Sequence, residues 1–84
     1  DAQESRGLGD VYKRQRYAAA VGGTACAILN GANEAAVGLF LRGEIGFNDI
    51  SRRVERALER VPVQYQPSLV DILEADKAAR HAAL

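Results

Sequence analysis

The 84-residue sequence predicts an all-α protein, a small antiparallel bundle of three helices plus the C-terminal stump of a fourth. Three observations lead there. Apolar residues recur at spacings of three and four from Arg16 onward, the period of a helix with one buried face. Glycine or proline separates those segments, at Gly22-Gly23, Gly43 and Pro62, where helices end. No stretch alternates apolar and polar residues long enough for a strand, and no internal repeat is present. The connections are short, which favours antiparallel neighbours.

The elements follow in chain order. "RYAAAV", residues 16–21, consists largely of good helix formers and is stopped by Gly22-Gly23, so it reads as the last turns of a helix. Thr24 is the expected N-cap of a second helix over 25–42, its hydroxyl accepting from amides of the first turn. Leu29, Ala32, Ala36, Val37 and Phe40 share the apolar face of that helix, and Gly43 ends it. After the turn "GEIGFND", Asn48 or Asp49 is placed to cap a third helix running through Val61. Its stripe is Ile50, Val54, Ala57, Leu58 and Val61. Arg52/Glu55 and Arg56/Glu59 place opposite charges three apart, worth about 0.2–0.5 kcal/mol a pair. Pro62 stops this helix, and "PVQYQP" is an extended connector. Ser68 caps the last helix, with Asp71 in the reciprocal capping-box position. Leu69, Ile72, Leu73, Asp76, Ala79 and Ala83 follow one of its faces.

Residues 1–15 differ from the rest. They lack apolar periodicity and hold Gly7 and Gly9 among scattered charges. "GLG" is not a phosphate-binding loop, because no strand precedes it and Tyr12 stands where a third glycine belongs. "SRGLGDVYKRQ" resembles translated adapter sequence found at broken ends of gene reads. The expected organisation is a non-native or disordered leader over 1–15 and one helical domain over 16–84.

Composition narrows the function. The formal net charge is zero and no basic field draws the chain to nucleic acid or an anionic membrane. One cysteine, Cys26, allows no internal disulfide and fits a reducing compartment. No apolar run reaches the roughly 20 residues of a membrane span and no signal peptide opens the chain, so a cytoplasmic protein is expected. The chain contains no methionine, which suggests a piece of something longer. A domain of this size is marginal alone, burying only about 60% of its unfolded surface.

The inventory for catalysis is thin. Cys26 and His81 lie on different helices, and a Cys–His nucleophile pair needs contact and a third orienting group. Cys26 reads as a small buried hydrophobe and His81 as a helix-terminal residue. Asp71 and Glu74 read as a solvated acidic first turn rather than a magnesium site. Arg52, Arg56 and Arg60 form a row that suggests a DNA-recognition helix, but Glu55 and Glu59 interrupt it. In the second helix, Gly31, Ala35 and Gly38 make a strip of small residues that lets another backbone approach. Beside it, Asn30, Asn33 and Glu34 group at helical spacing. Asn33 is drawn toward the apolar face, where a buried amide needs a specific partner or costs about 1–3 kcal/mol. Asn30, Asn33 and Glu34 are therefore candidate structural or domain-interface residues.

"GGTACAILNGANEAAVGLFLRGEIGFNDI", followed by an amphipathic helix and "SLVDILEADKAAR", closely resembles the C-terminal helical domain of the 1-deoxy-D-xylulose 5-phosphate reductoisomerase family. The matches run from Gly22 to Arg80. They include Leu29, Asn30, Ala32, Asn33 and Glu34, then Phe40-Leu41, Ile45, Phe47, Asp49-Ile50, Asp71, Leu73, Asp76 and Ala79-Arg80. Cys26 stands where the family often has proline, and Gly31 and Gly38 where alanine or bulkier residues are usual.

The resemblance implies an enzyme of bacterial non-mevalonate isoprenoid biosynthesis. Such an enzyme rearranges 1-deoxy-D-xylulose 5-phosphate and reduces the resulting aldehyde with NADPH to 2-C-methyl-D-erythritol 4-phosphate. It uses Mg2+ or Mn2+ and is usually a homodimer. It further implies that the nucleotide fold, the metal-binding acids and the phosphate-binding residues lie in upstream domains of the same chain. No catalytic, cofactor-binding or metal-binding residue is therefore expected here, and Asn30, Asn33 and Glu34 become polar fixings of the helical domain. The alternative is a free-standing helical interaction module without enzymatic activity.

Overall fold

In the computed structural model, residues 13–84 are described, and they are helical with no strand. The leader expected over 1–15 lies outside them, except that residues 13–15 belong to the first described helix. We label the helices α1 (residues 13–21), α2 (Ala25–Leu41), α3 (Phe47–Arg60) and α4 (Leu69–Ala83). Among the described residues no helix is long and apolar enough to cross a membrane.

The α1–α2 corner departs from simple capping. Gly22 takes φ +76° and donates its amide to the Ala18 carbonyl, closing α1. Its own carbonyl accepts the Ala25 amide at 3.1 Å. An orphan donor of α2 is thus satisfied by the turn backbone, and the Thr24 hydroxyl makes no cap bond. Thr24 is instead fully buried, and its hydroxyl accepts the Gln64 amide at 2.9 Å. The Thr24 amide donates back to the Gln64 carbonyl at 3.0 Å. The expected N-cap is therefore corrected to a clasp on the α3–α4 connector.

Gly43 ends α2 as expected, with φ +76°. Its amide bonds to the Phe40 carbonyl and the Glu44 amide to Leu39, the paired bonds of a Schellman motif. The cap of α3 is a second correction. Helix α3 starts one residue after Gly46, so Asn48 and Asp49 lie inside its first turn. Asp49 reaches back to accept the Gly46 amide at 3.0 Å. Ser68 and Asp71 cap α4 reciprocally, as the sequence predicts, at 3.1 and 3.0 Å.

Helices α2 and α3 reverse direction across a short turn, where Phe40 and Phe47 meet edge to face with centroids 5.8 Å apart. Arg56 of α3 bonds the Ala82 carbonyl, while Arg53, a turn earlier, reaches Ala83 and Leu84, so α3 and α4 are antiparallel. Helices α2 and α4 are consequently parallel, with Gly31 beside Asp76 and Glu34 bonded to Arg80.

The core is Ile28, Ala32 and Ala36 of α2, Val54 and Ala57 of α3, Val61, and Ala75, Ala79 and Ala83 of α4. The α3 stripe holds, with Ile50 and Leu58 half-buried against the cluster. The α2 face is rotated from expectation. Ile28 and Leu39 are buried, Leu29 and Val37 half-buried, and Phe40 exposed. On α4, Ala79 and Ala83 of the expected face are buried, joined by Ala75, but its larger members are corrected, since Leu69, Ile72 and Leu73 are exposed. Close packing explains both shifts. At Gly31 a Cβ would stand 2.5 Å from Asp76 Oδ1 and 2.9 Å from the Asp76 carbonyl oxygen. Helices this near leave room between them for alanine, not leucine. Gly38, by contrast, faces only the tip of Arg42 at 3.4 Å, so the small-residue strip works at Gly31 alone of the two glycines.

Candidate interdomain surface

Residues Asn33 and Glu34 are neighbours in sequence, and a helix turns about 100° per residue. They therefore face different flanks of α2. Glu34 faces α4 and accepts a hydrogen bond from Arg80 Nη2. Arg80 Nε donates to Asp76 Oδ2 at 3.0 Å, one helical turn back. The Asp76 bond, then the Glu34 bond, raises the Arg80 pKa above its ordinary value, so the guanidinium is held as the cation. This triad ties α2 to α4 beside Gly31. Because Arg80 and Glu34 are both partly solvated, the triad contributes orientation more than stability.

Asn30 and Asn33 face the other way. Both are exposed, and they line an open cavity of about 210 Å³ with Arg14, Ala18, Cys26, Leu29 and Val54. The burial expected of Asn33 is thus corrected, because the apolar face turns toward Ile28 and away from Leu29. Cys26 is likewise exposed rather than buried. Arg14 forms one wall of the cavity and donates to Ser51 Oγ at 2.8 Å, with Glu55 Oε1 at 3.9 Å from its other terminal nitrogen. Two adjacent side-chain amides, each carrying a donor pair and an acceptor, can grip a peptide group of a neighbouring segment. They supply neither a nucleophile nor an acid.

The charge pairs also differ from expectation. Arg52 lies 3.7 Å from Asp49 in the first turn of α3, and Glu55 faces Arg14. Arg53 and Arg56 are spent on the C-terminal carbonyls of α4, where a cation offsets the helix dipole. Arg56, the middle arginine of the row that suggested a DNA-recognition helix, is therefore engaged on α4. The role of Arg53 was not legible in the sequence, because its partners stand 30 residues away.

A divalent cation does not fit these residues. Among the described residues no three His, Cys, Asp or Glu side chains come together to hold a metal ion. NADPH fares no better, since a dinucleotide loop needs a strand leading into a helix and the described residues contain no strand.

Residues 10–82 match the family described as the DXP reductoisomerase C-terminal domain. The chain is similar to the 1-deoxy-D-xylulose 5-phosphate reductoisomerase of Synechococcus sp. (strain JA-2-3B'a(2-13)), 59% identical over 59 residues, covering 70% of this chain and 15% of that protein. It is 52% identical over 71 residues to the enzyme of the same name from Crocosphaera subtropica, covering 81% of this chain and 18% of that one. A third relative of that name, from Methylobacillus flagellatus, is 49% identical over 63 residues, covering 75% and 16%. The chain thus spans between 15% and 18% of the length of these relatives. No solved structure matches it at a significant level. The match over residues 10–82, most of the chain's length, makes this chain a member of the DXP reductoisomerase C-terminal domain family.

Proposed function

We propose that residues 16–84 serve as the C-terminal structural domain of an NADPH-dependent reductoisomerase. The whole enzyme would convert 1-deoxy-D-xylulose 5-phosphate to 2-C-methyl-D-erythritol 4-phosphate with Mg2+ or Mn2+, in the bacterial cytoplasm and as a homodimer. The observation that carries this reading is the family match over residues 10–82 by a chain that spans about one-sixth of its relatives. In this reading the chain itself is silent in catalysis. Asn30 and Asn33 are then polar fixings toward another part of the longer polypeptide, Glu34 fixes α2 to α4, and the domain takes in at least the residues from 10 onward that match the family.

Two assays test it. The purified 84-residue chain, given 1-deoxy-D-xylulose 5-phosphate, NADPH and Mg2+, oxidises no NADPH. The Synechococcus relative carrying this chain's residues 16–84 in place of its own C-terminal helical segment does oxidise it. Turnover by the chain alone, or a folded but inactive chimera, counts against the reading.

A further inference from the structure

The first two turns of α4 are inverted relative to an ordinary surface helix. Its inward residues are Ala75, Ala79 and Ala83, while its large apolar side chains point out. Leu69 is 71% exposed, Leu73 60%, and Tyr65 of the preceding connector 68%. Val70 is exposed as well. Leu69, Leu73 and Val70 fall within about 100° of the helix circumference, so they share one flank. Asp71, between them in sequence but on another side of the helix, is occupied in the capping box with Ser68. The patch is also rigidly presented. Gln64, next to Tyr65, is held by both hydrogen bonds to Thr24, and Gly23 packs so closely beneath that a Cβ would meet the Gln64 carbonyl oxygen at 2.2 Å. A contiguous apolar surface on a fixed frame marks a contact site.

We propose that Tyr65, Leu69, Val70 and Leu73 form the seat for an apolar surface from elsewhere in the same, longer polypeptide. This rests on the reading of the chain as a reductoisomerase domain. Size favours an occupant in the same chain over a second copy. A stable dimer interface takes about 20–30 residues a side, and this patch is a connector residue and two helical turns. A contact this small holds when its partner is tethered, because linkage supplies an effective concentration on the order of millimolar. The relatives, of which this chain spans 15–18%, carry ample polypeptide to provide it. The exposed cation on this flank, Lys77, stands beside the exposed Glu74, so the patch carries no net positive field to draw it to an anionic membrane surface.

The test is hydroxyl-radical footprinting of the Synechococcus chimera described above, read at Leu69 and Leu73 by mass spectrometry. Labelling at least several-fold slower than in the urea-unfolded chimera is expected. Labelling within about two-fold of the unfolded rate overturns the seat. Protection that disappears on dilution, as the sedimenting species falls to monomer, assigns the patch to a second copy and also overturns it. The paired variant Leu69→Asp/Leu73→Asp should lower the thermal inactivation temperature of the chimera while the helical circular dichroism is retained; an unchanged inactivation temperature would again overturn it. Footprinting is read whether or not the chimera turns over. An inactive chimera with protected leucines therefore counts against the enzymatic reading alone, and an active one with freely labelled leucines against the seat alone.

Discussion

Thr24 and Gln64 exchange two hydrogen bonds, amide to carbonyl at 3.0 Å and amide to hydroxyl at 2.9 Å, across 40 residues of chain. They fasten the connector between α3 and α4 to the corner between α1 and α2. Thr24→Val keeps the shape and removes the acceptor, leaving the part-buried Gln64 amide unpaired. The expected cost is about 1–3 kcal/mol. At about 4–8 °C per kcal/mol for a domain of this size, a thermal melt resolves it, and Thr24→Ser should recover most of the loss.

The same corner separates two adjacent glycines. A Cβ added at Gly22, where φ is +76°, would meet nothing within 4 Å, whereas at Gly23 it would stand 2.2 Å from the Gln64 carbonyl oxygen. Gly22→Ala should cost only the left-handed backbone penalty, about 1–2 kcal/mol. Gly23→Ala carries that penalty and must also displace the connector, so it should be clearly the more destabilising. Equal urea midpoints for the two variants would contradict the close approach.

Opposite signs are expected at the two glycines inside α2. Alanine is favoured over glycine in a helix by about 1 kcal/mol. Gly38→Ala should realise that gain, because only the flexible tip of Arg42 is near. Gly31→Ala should destabilise despite it, because the new methyl group meets backbone and carboxylate of Asp76. Chemical denaturation of both variants decides the matter.

Ile28, fully buried, should cost about 2–5 kcal/mol as Ile28→Ala, enough to unfold much of a marginal chain. Leu69→Ala in the 84-residue chain should stay within about 0.5 kcal/mol, its side chain being largely in solvent. A reversed order would mean that α2 presents the Leu29 face inward after all.

Arg56→Glu removes the bond to the Ala82 carbonyl and sets a negative charge against the negative end of α4. A loss of about 0.5–2 kcal/mol in stability is expected. Duplex DNA binding should be absent before and after the change. Salt-sensitive binding that the variant abolishes would revive the recognition-helix alternative.

The sequence by itself determined the helices and those of their ends that depend on neighbours three or four residues away. The Ser68–Asp71 box, the Gly43 stop and the Val54–Ala57–Val61 stripe are local signals of this kind, and all appear in the fold. So did the family, which lies in the order of motifs from Gly22 to Arg80. Only the tertiary structure decided which way α2 and α4 face. The sequence places Leu69 and Leu73 on one face with Ala79 and Ala83, yet in α4 only the alanines are buried. The reason is the depth of the gap that Gly31 leaves against Asp76, a property of two helices together. The same holds for Thr24, whose hydroxyl could serve its own helix or a distant loop. Helix α2 took its cap from the Gly22 carbonyl, which freed the hydroxyl for Gln64. The single-residue step from Asn33 to Glu34 then divided the polar group: Glu34 is tied to Arg80 within the bundle, and the amides stand open on the other flank.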